Sequence, residues 1–85
     1  MASYSLVIKK SAEKELRSVP NTDLSRLVDR MQSLTVNPRL HGAETLSGED
    51  TYRIRQGGWR IIYSIDDSAR LVDIVNIGHR RDVYR

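Results

Sequence analysis

The sequence predicts an α+β fold: a single domain over residues 1–85, with an N-terminal strand, two antiparallel helices and a mostly antiparallel sheet whose one face the helices cover. Three observations support it. Apolar residues recur at helical spacing between Ala12 and Leu34, the period changes to two after Gly42, and Gly57-Gly58 joins two alternating runs as a tight hairpin. A chain of 85 residues supports one core, shared by every element.

Tyr4 to Ile8 alternates like a short strand that ends at Lys9-Lys10. Ser11 is a fair N-cap for a short helix, with Glu13 and Glu15 where the helix dipole favours acid and Ala12, Leu16 and Val19 on one face. Pro20 stops it. Asn21 or Thr22 then caps a longer helix in which Leu24, Leu27, Val28, Met31 and Leu34 form an apolar stripe, and Pro38 closes it. Glu44-Thr45-Leu46 is a candidate edge strand and Ser47 to Asp50 a turn. Thr51–Gln56 and Trp59–Ile65 form the hairpin, Asp66 to Ala69 turn, and Arg70–Ile77 make the last strand, giving β-α-α-β-β-β with a tail.

Composition narrows the function. Residues 1–50 carry seven Lys or Arg against seven Asp or Glu, whereas residues 51–85 carry seven Arg against four Asp, so the net charge of +3 comes from the second part. With no cysteine there are no disulfides and no thiolate metal sites, and a reducing compartment is permitted. Two histidines, His41 and His79, have no carboxylates at zinc-ligand spacing, so neither a metal nor another cofactor is expected. No apolar run has the length of a membrane span and Met1 to Tyr4 lacks the pattern of a signal peptide, so no membrane partner is expected and a cytoplasmic location is the default expectation.

The hairpin carries the functional signal. A Gly57-Gly58 turn sets Gln56 opposite Trp59 and Arg55 opposite Arg60, and like charges so placed repel. Tyr52, Ile54, Ile61, Tyr63 and Ile65 fall on the side that meets the helices, leaving Arg53, Arg55, Arg60 and Ile62 facing open solvent. Guanidinium forks gathered on one face suit phosphate, although alternating charge on a strand also marks an ordinary solvated face. Lys9 and Lys10, with Lys14, allow the same two readings, as phosphate contacts or as a solvated charge run.

Together Leu46-Ser47-Gly48, Tyr52 to Arg55, Trp59 to Tyr63 and the terminal Gly78-His79-Arg80-Arg81-Asp82-Val83-Tyr84-Arg85 make the chain resemble the RelE branch of the RelE/ParE toxin superfamily over essentially its whole length. The resemblance implies a toxin held by a cognate antitoxin, and a metal-free ribonuclease that cuts messenger RNA in the ribosomal decoding site. It implies that Arg60 and Arg80 are active-site arginines, whose bidentate forks suit clamping the scissile phosphate, that Arg53 and Arg55 stand where the branch carries lysines, and that Tyr84 is the terminal tyrosine. Arg53 and Arg81, with Lys9 and Lys10, are the expected RNA-phosphate contacts. The hairpin turn and the stretch before Tyr84 are each shorter here than in the branch.

Such cleavage uses the ribose 2′-hydroxyl as nucleophile and needs a base, cations for the charge at phosphorus and an acid for the leaving oxygen. A guanidinium seldom gives up its proton, so Arg55 is read as an electrostatic helper. Histidine titrates near neutrality, which makes His79 the expected general acid or base, with Tyr84 stacking or transferring a proton. Pairing register bears on this. A four-residue turn after Ile65 puts Arg60 opposite Val75 and His79 on the arginine face, as Asp73 on the open face favours. A five-residue turn puts Arg60 opposite Asn76 and brings Arg80 round, as the resemblance favours, and this is the expected register; a bulge near Gly78 would admit both. The alternative function is a ParE-like toxin that inhibits DNA gyrase by binding, and a third is a module that holds RNA without chemistry.

Overall fold

A computed structural model describes residues 3–46 and 51–79. Its elements run β1 (Ser5–Ile8), α1 (Lys10–Leu16), α2 (Asn21–Val36), β2 (Glu44–Leu46), β3 (Thr51–Gln56), β4 (Trp59–Asp66) and β5 (Leu71–His79). The candidate edge strand Glu44–Leu46 is formed, so the sheet has five strands in the order β1-β5-β4-β3-β2. All neighbours are antiparallel except β1 and β5, which run parallel with Ile8 beside Ile74. The α+β reading therefore stands, with one strand more than β-α-α-β-β-β.

The helices close one face. Helix α1 packs mainly on β5, and α2 on β1 and β3. Between the layers lie Ala12, Leu27, Met31 and Leu34 from the helices and Ile54, Ile61, Tyr63, Val72, Ile74 and Ile77 from the sheet. Of the predicted apolar stripe on α2, Leu27, Met31 and Leu34 are buried, Leu24 is partly buried, and Val28 is exposed at its margin. Neither helix has a side-chain cap: Lys9 and Pro20 occupy the N-cap positions in extended conformation. Ser11 lies inside α1 instead, and its hydroxyl donates to the carbonyl of Val75 at 3.2 Å.

Val75 is where the sheet departs from both expected registers. Ile65 pairs with Val72 and Tyr63 with Ile74, yet the next residue of β4, Ile62, pairs with Asn76, so Val75 is an extra residue on β5. Arg60 consequently faces Gly78, and Trp59 faces His79. Side chains alternate across a strand, so one bulged residue changes which numbers point to the core: Val72 and Ile74 below it, Ile77 above it, all completely buried. The bulge lies three residues before Gly78 rather than at it.

A second polar cluster ties the loop after α2 to the β4–β5 turn. Arg39 grips Asp67 with both terminal nitrogens at 3.2 and 2.9 Å, its Nε donates to the Tyr52 hydroxyl at 3.1 Å, and the Tyr4 hydroxyl donates to Asp67 at 2.6 Å. Tyr63 donates to the Pro38 carbonyl at 2.7 Å and stacks on Tyr52. Burial pushes the Tyr63 hydroxyl up to about 12, whereas the hydrogen bonds from Arg39 and Tyr4 hold the Asp67 carboxyl down at about 2.

Two measurements follow from this cluster. Replacing Tyr63 by Phe leaves the buried Pro38 carbonyl without its donor, and a loss of about 1–3 kcal/mol in urea unfolding is expected. Because the folded-state value of Asp67 lies below its ordinary 3.8, its stabilisation is fully present above that value and disappears as pH falls through about 2. The gap in urea midpoint between the wild-type chain and Asp67→Asn should therefore narrow steadily on acidification over that window; a gap independent of pH would contradict the pairing.

Candidate functional site: an arginine face on the open side of the sheet

The face of the sheet away from the helices is set by β3 and β4. Gly57, at φ +61°, turns the chain tightly enough for Gln56 to pair with Trp59, Arg55 with Arg60 and Arg53 with Ile62. Arg53, Arg55, Arg60 and Ile62 thus share the open face as the alternation predicts. Their exposure differs from that expectation, however: Arg55 is exposed, Arg53 is partly covered, and Arg60 is buried, with only 5% of its surface accessible.

The edge strand adds a carboxylate that the residue pattern alone does not single out. Glu44 pairs with Arg53 across β2 and β3, and its Oε1 accepts a hydrogen bond from Arg53 Nη2 at 2.8 Å. That bond, followed by the charges of Arg53, Arg55 and Arg60, holds the Glu44 carboxyl below the ordinary carboxylate range. One acid therefore sits within electrostatic reach of all three guanidiniums. Its signal in the sequence was parity: Glu44 belongs to the same face as Arg53 once β2 is taken as a strand with a hairpin-like return.

The last strand contributes differently from expectation. Gly78, opposite Arg60, brings backbone without side chain to the arginine face. His79 pairs with Trp59 and meets that ring edge-on with centroids 5.0 Å apart, so it stands on the helix side of the sheet and not among the arginines. The expected proton-transfer role of His79 thus lacks the required placement, for the reason of parity: one residue beyond Gly78, the side chain points to the other face. Trp59 in turn donates its indole N–H to Asp23 on α2 at 3.2 Å, and Arg30 donates to Gln56 at 3.1 Å, so the hairpin tip is bound to α2 on both strands. A polar hollow of about 240 Å³ lies along that junction, lined by Arg26, Asp29, Arg30, Ser33 and Gln56.

Lys9 is drawn away from a free phosphate role by its ion pair to Asp73 at 3.1 Å, while Lys10 is exposed at the start of α1. Arg80, Arg81 and Tyr84 lie outside the described residues. Among the described residues no group of histidine and carboxylate side chains could hold a metal ion, and no helix is long and apolar enough to cross a membrane.

The two helices on a five-stranded, mostly antiparallel sheet match the fold of solved RelE toxins. The chain belongs to the family of ParE toxins of type II toxin–antitoxin systems (parDE), whose model matches residues 6–84. It is 29% identical over 84 residues to the toxin RelG of Mycobacterium tuberculosis, an alignment covering 96% of this chain and 97% of that protein. In three dimensions it is similar to the toxin–antitoxin complex RelBE2 from Mycobacterium tuberculosis, with TM-score 0.81 and 28% identity over 92% of this chain and 99% of that one. The archaeal RelE–RelB complex from Pyrococcus horikoshii gives 0.80 and 26%, covering 92% of this chain and 96% of that chain. The chain is thus a RelE-like toxin of the type II toxin–antitoxin class.

Gly58 is the close-approach position of the site. A Cβ built there would stand 3.1 Å from His79 Nε2, too near for the ring to stay where it is. In Gly58→Ala the ring has to give by a few tenths of an ångström, and the ring-current shift that Trp59 imposes on the His79 ring protons should change measurably. Unchanged His79 shifts would contradict the packing.

Proposed function

We propose that this toxin is a metal-free endoribonuclease that cuts messenger RNA on the ribosome and that a cognate antitoxin restrains it. The observation that carries the reading is the burial of Arg60 on the open face, in register with Arg55 and Gly78. A guanidinium withdrawn from water interacts more strongly with a phosphorane than an exposed one, and its fork fixes the oxygen positions. The antitoxin follows from family membership and from the similar RelE chains, whose structures are complexes with RelB.

In this mechanism Arg60 and Arg80 clamp the scissile phosphate, with Arg55 and Arg53 adding charge and Arg81 and Lys10 contacting flanking phosphates. Attack by the substrate's own 2′-hydroxyl needs a proton acceptor, which arginine does not supply. Glu44 is the acceptor offered there, a carboxylate on the same face as the arginines and bonded to Arg53, though that pairing also lowers its basicity. Tyr84 donates to the leaving oxygen or stacks on a base. His79 is reassigned from proton transfer to positioning the strand end through Trp59. The 2′-hydroxyl requirement restricts cutting to RNA.

The family's description as ParE toxins favours one rival, inhibition of gyrase by binding alone. Primer extension on translated message separates the two. Codon-phased cuts should appear with the wild-type chain and vanish in Arg60→Ala and Arg80→Ala, while Glu44→Gln should still bind ribosomes and lose cleavage by roughly 10²-fold or more. Intact message together with gyrase-trapped DNA breaks would establish the rival. Full cleavage by Glu44→Gln would remove that residue from the mechanism.

A further inference from the structure

Beyond Arg60 the open face continues as two pairs, Ile62 with Asn76 and Ser64 with Asp73. Ile62 is half-buried between Ile61 and Tyr63, which turn to the core, so its side chain forms an apolar floor roughly 7 Å along β4 from Arg60. Asn76 stands exposed across from that floor. It directly follows the bulged Val75, whose carbonyl Ser11 holds, and bulges beside functional sites serve to re-aim a side chain.

Charge along this stretch is unlike that of the arginine cluster. Asp73 gives one oxygen to Lys9 and keeps its Oδ1 buried without a partner, and Arg53, opposite Ile62 on β3, is paired with Glu44. Each of these cations already has a carboxylate partner, so what this stretch offers a ligand is the Ile62 side chain and the exposed Asn76 amide. We propose that Ile62 and Asn76 form a nucleobase subsite beside the phosphate clamp, in which the base lies on Ile62 and the Asn76 amide reads adenine, accepting from N6 and donating to N7. A carboxamide is the side chain whose donor and acceptor match that purine edge, and unstacked single-stranded bases present it. Ser11 is then a positioning residue, acting on Asn76 through the Val75 bulge. This rests on the ribonuclease reading for its substrate.

The test uses binding, so that it does not depend on cleavage. The ¹⁵N-labelled chain is titrated with trinucleotides carrying 2′-O-methyl groups, identical except for adenine, guanine, cytosine or uracil at each place in turn. At one place adenine should bind roughly fivefold or more tightly than uracil, with the Asn76 side-chain amide among the most shifted signals. Asn76→Ala should abolish that preference while the arginines keep the residual affinity, and Asn76→Asp should move it towards cytosine, whose amino group a carboxylate accepts. Ser11→Ala should weaken the preference, and Ser11→Thr restore it. Equal affinity for the four bases in the wild-type chain, or a preference that survives Asn76→Ala, overturns the subsite and leaves the nuclease reading untouched. An adenine preference in a chain that cuts no message supports the subsite and overturns the nuclease.

Discussion

Strand β5 has to satisfy two neighbours of opposite direction, and the extra residue Val75 is how it does so. Below Val75 the strand is sandwiched between β1 and β4, with Val72 and Ile74 in the core. Above it β1 has turned into α1, and Ile77 takes the core position three residues after Ile74 instead of two. Burying a branched aliphatic side chain is worth about 1.5–3 kcal/mol, more than a local break in the ladder costs when the freed carbonyl finds another donor. Ser11 is that donor. Everything above the bulge inherits its parity: Gly78 under the arginines, His79 against Trp59, Asn76 outward.

The arginine face depends on compensation of a different kind. Arg55 and Arg60 stand directly opposite each other, and a sheet gains nothing from that pairing. Glu44, from an edge strand of three residues, supplies the opposite charge. Being mostly exposed, this carboxylate contributes little to stability, since solvent screens such pairs. Its importance lies in where it stands, beside Arg53 and facing the same way as Arg60. The site is thus poised between repulsion that an anion relieves and a carboxylate that partly relieves it beforehand.

Much of this was legible in the residues. Helical spacing marked Leu27, Met31 and Leu34 as core, and the glycine pair set the hairpin register from Gln56 to Tyr63 without help from the rest of the fold. What escaped was long-range. Ser11 has the local appearance of a cap, but its partner is sixty-four residues away on another element. Asp73 pointed to one parity for the last strand and the resemblance to the other; each was right for its own side of Val75, and only the spacing of Val72, Ile74 and Ile77 hinted at the change. Glu44 is not singled out by the residues, because a three-residue edge strand has too short a pattern to show its face until its pairing with β3 is known.

The pairing of β1 with β5 joins residues 5–8 to residues 71–74, so the sheet is closed by its most distant segments. Until β5 exists, the first strand has no neighbour and the arginine hairpin has neither Gly78 beneath it nor the bulge that sets its border. High separation between pairing partners makes closure a late event in folding. A chain of which only the first sixty or so residues have been synthesised therefore holds Arg53, Arg55 and Arg60 as loose charges. For a protein that we read as an attacker of ribosomes, strand order delays the weapon until its own translation has passed β5.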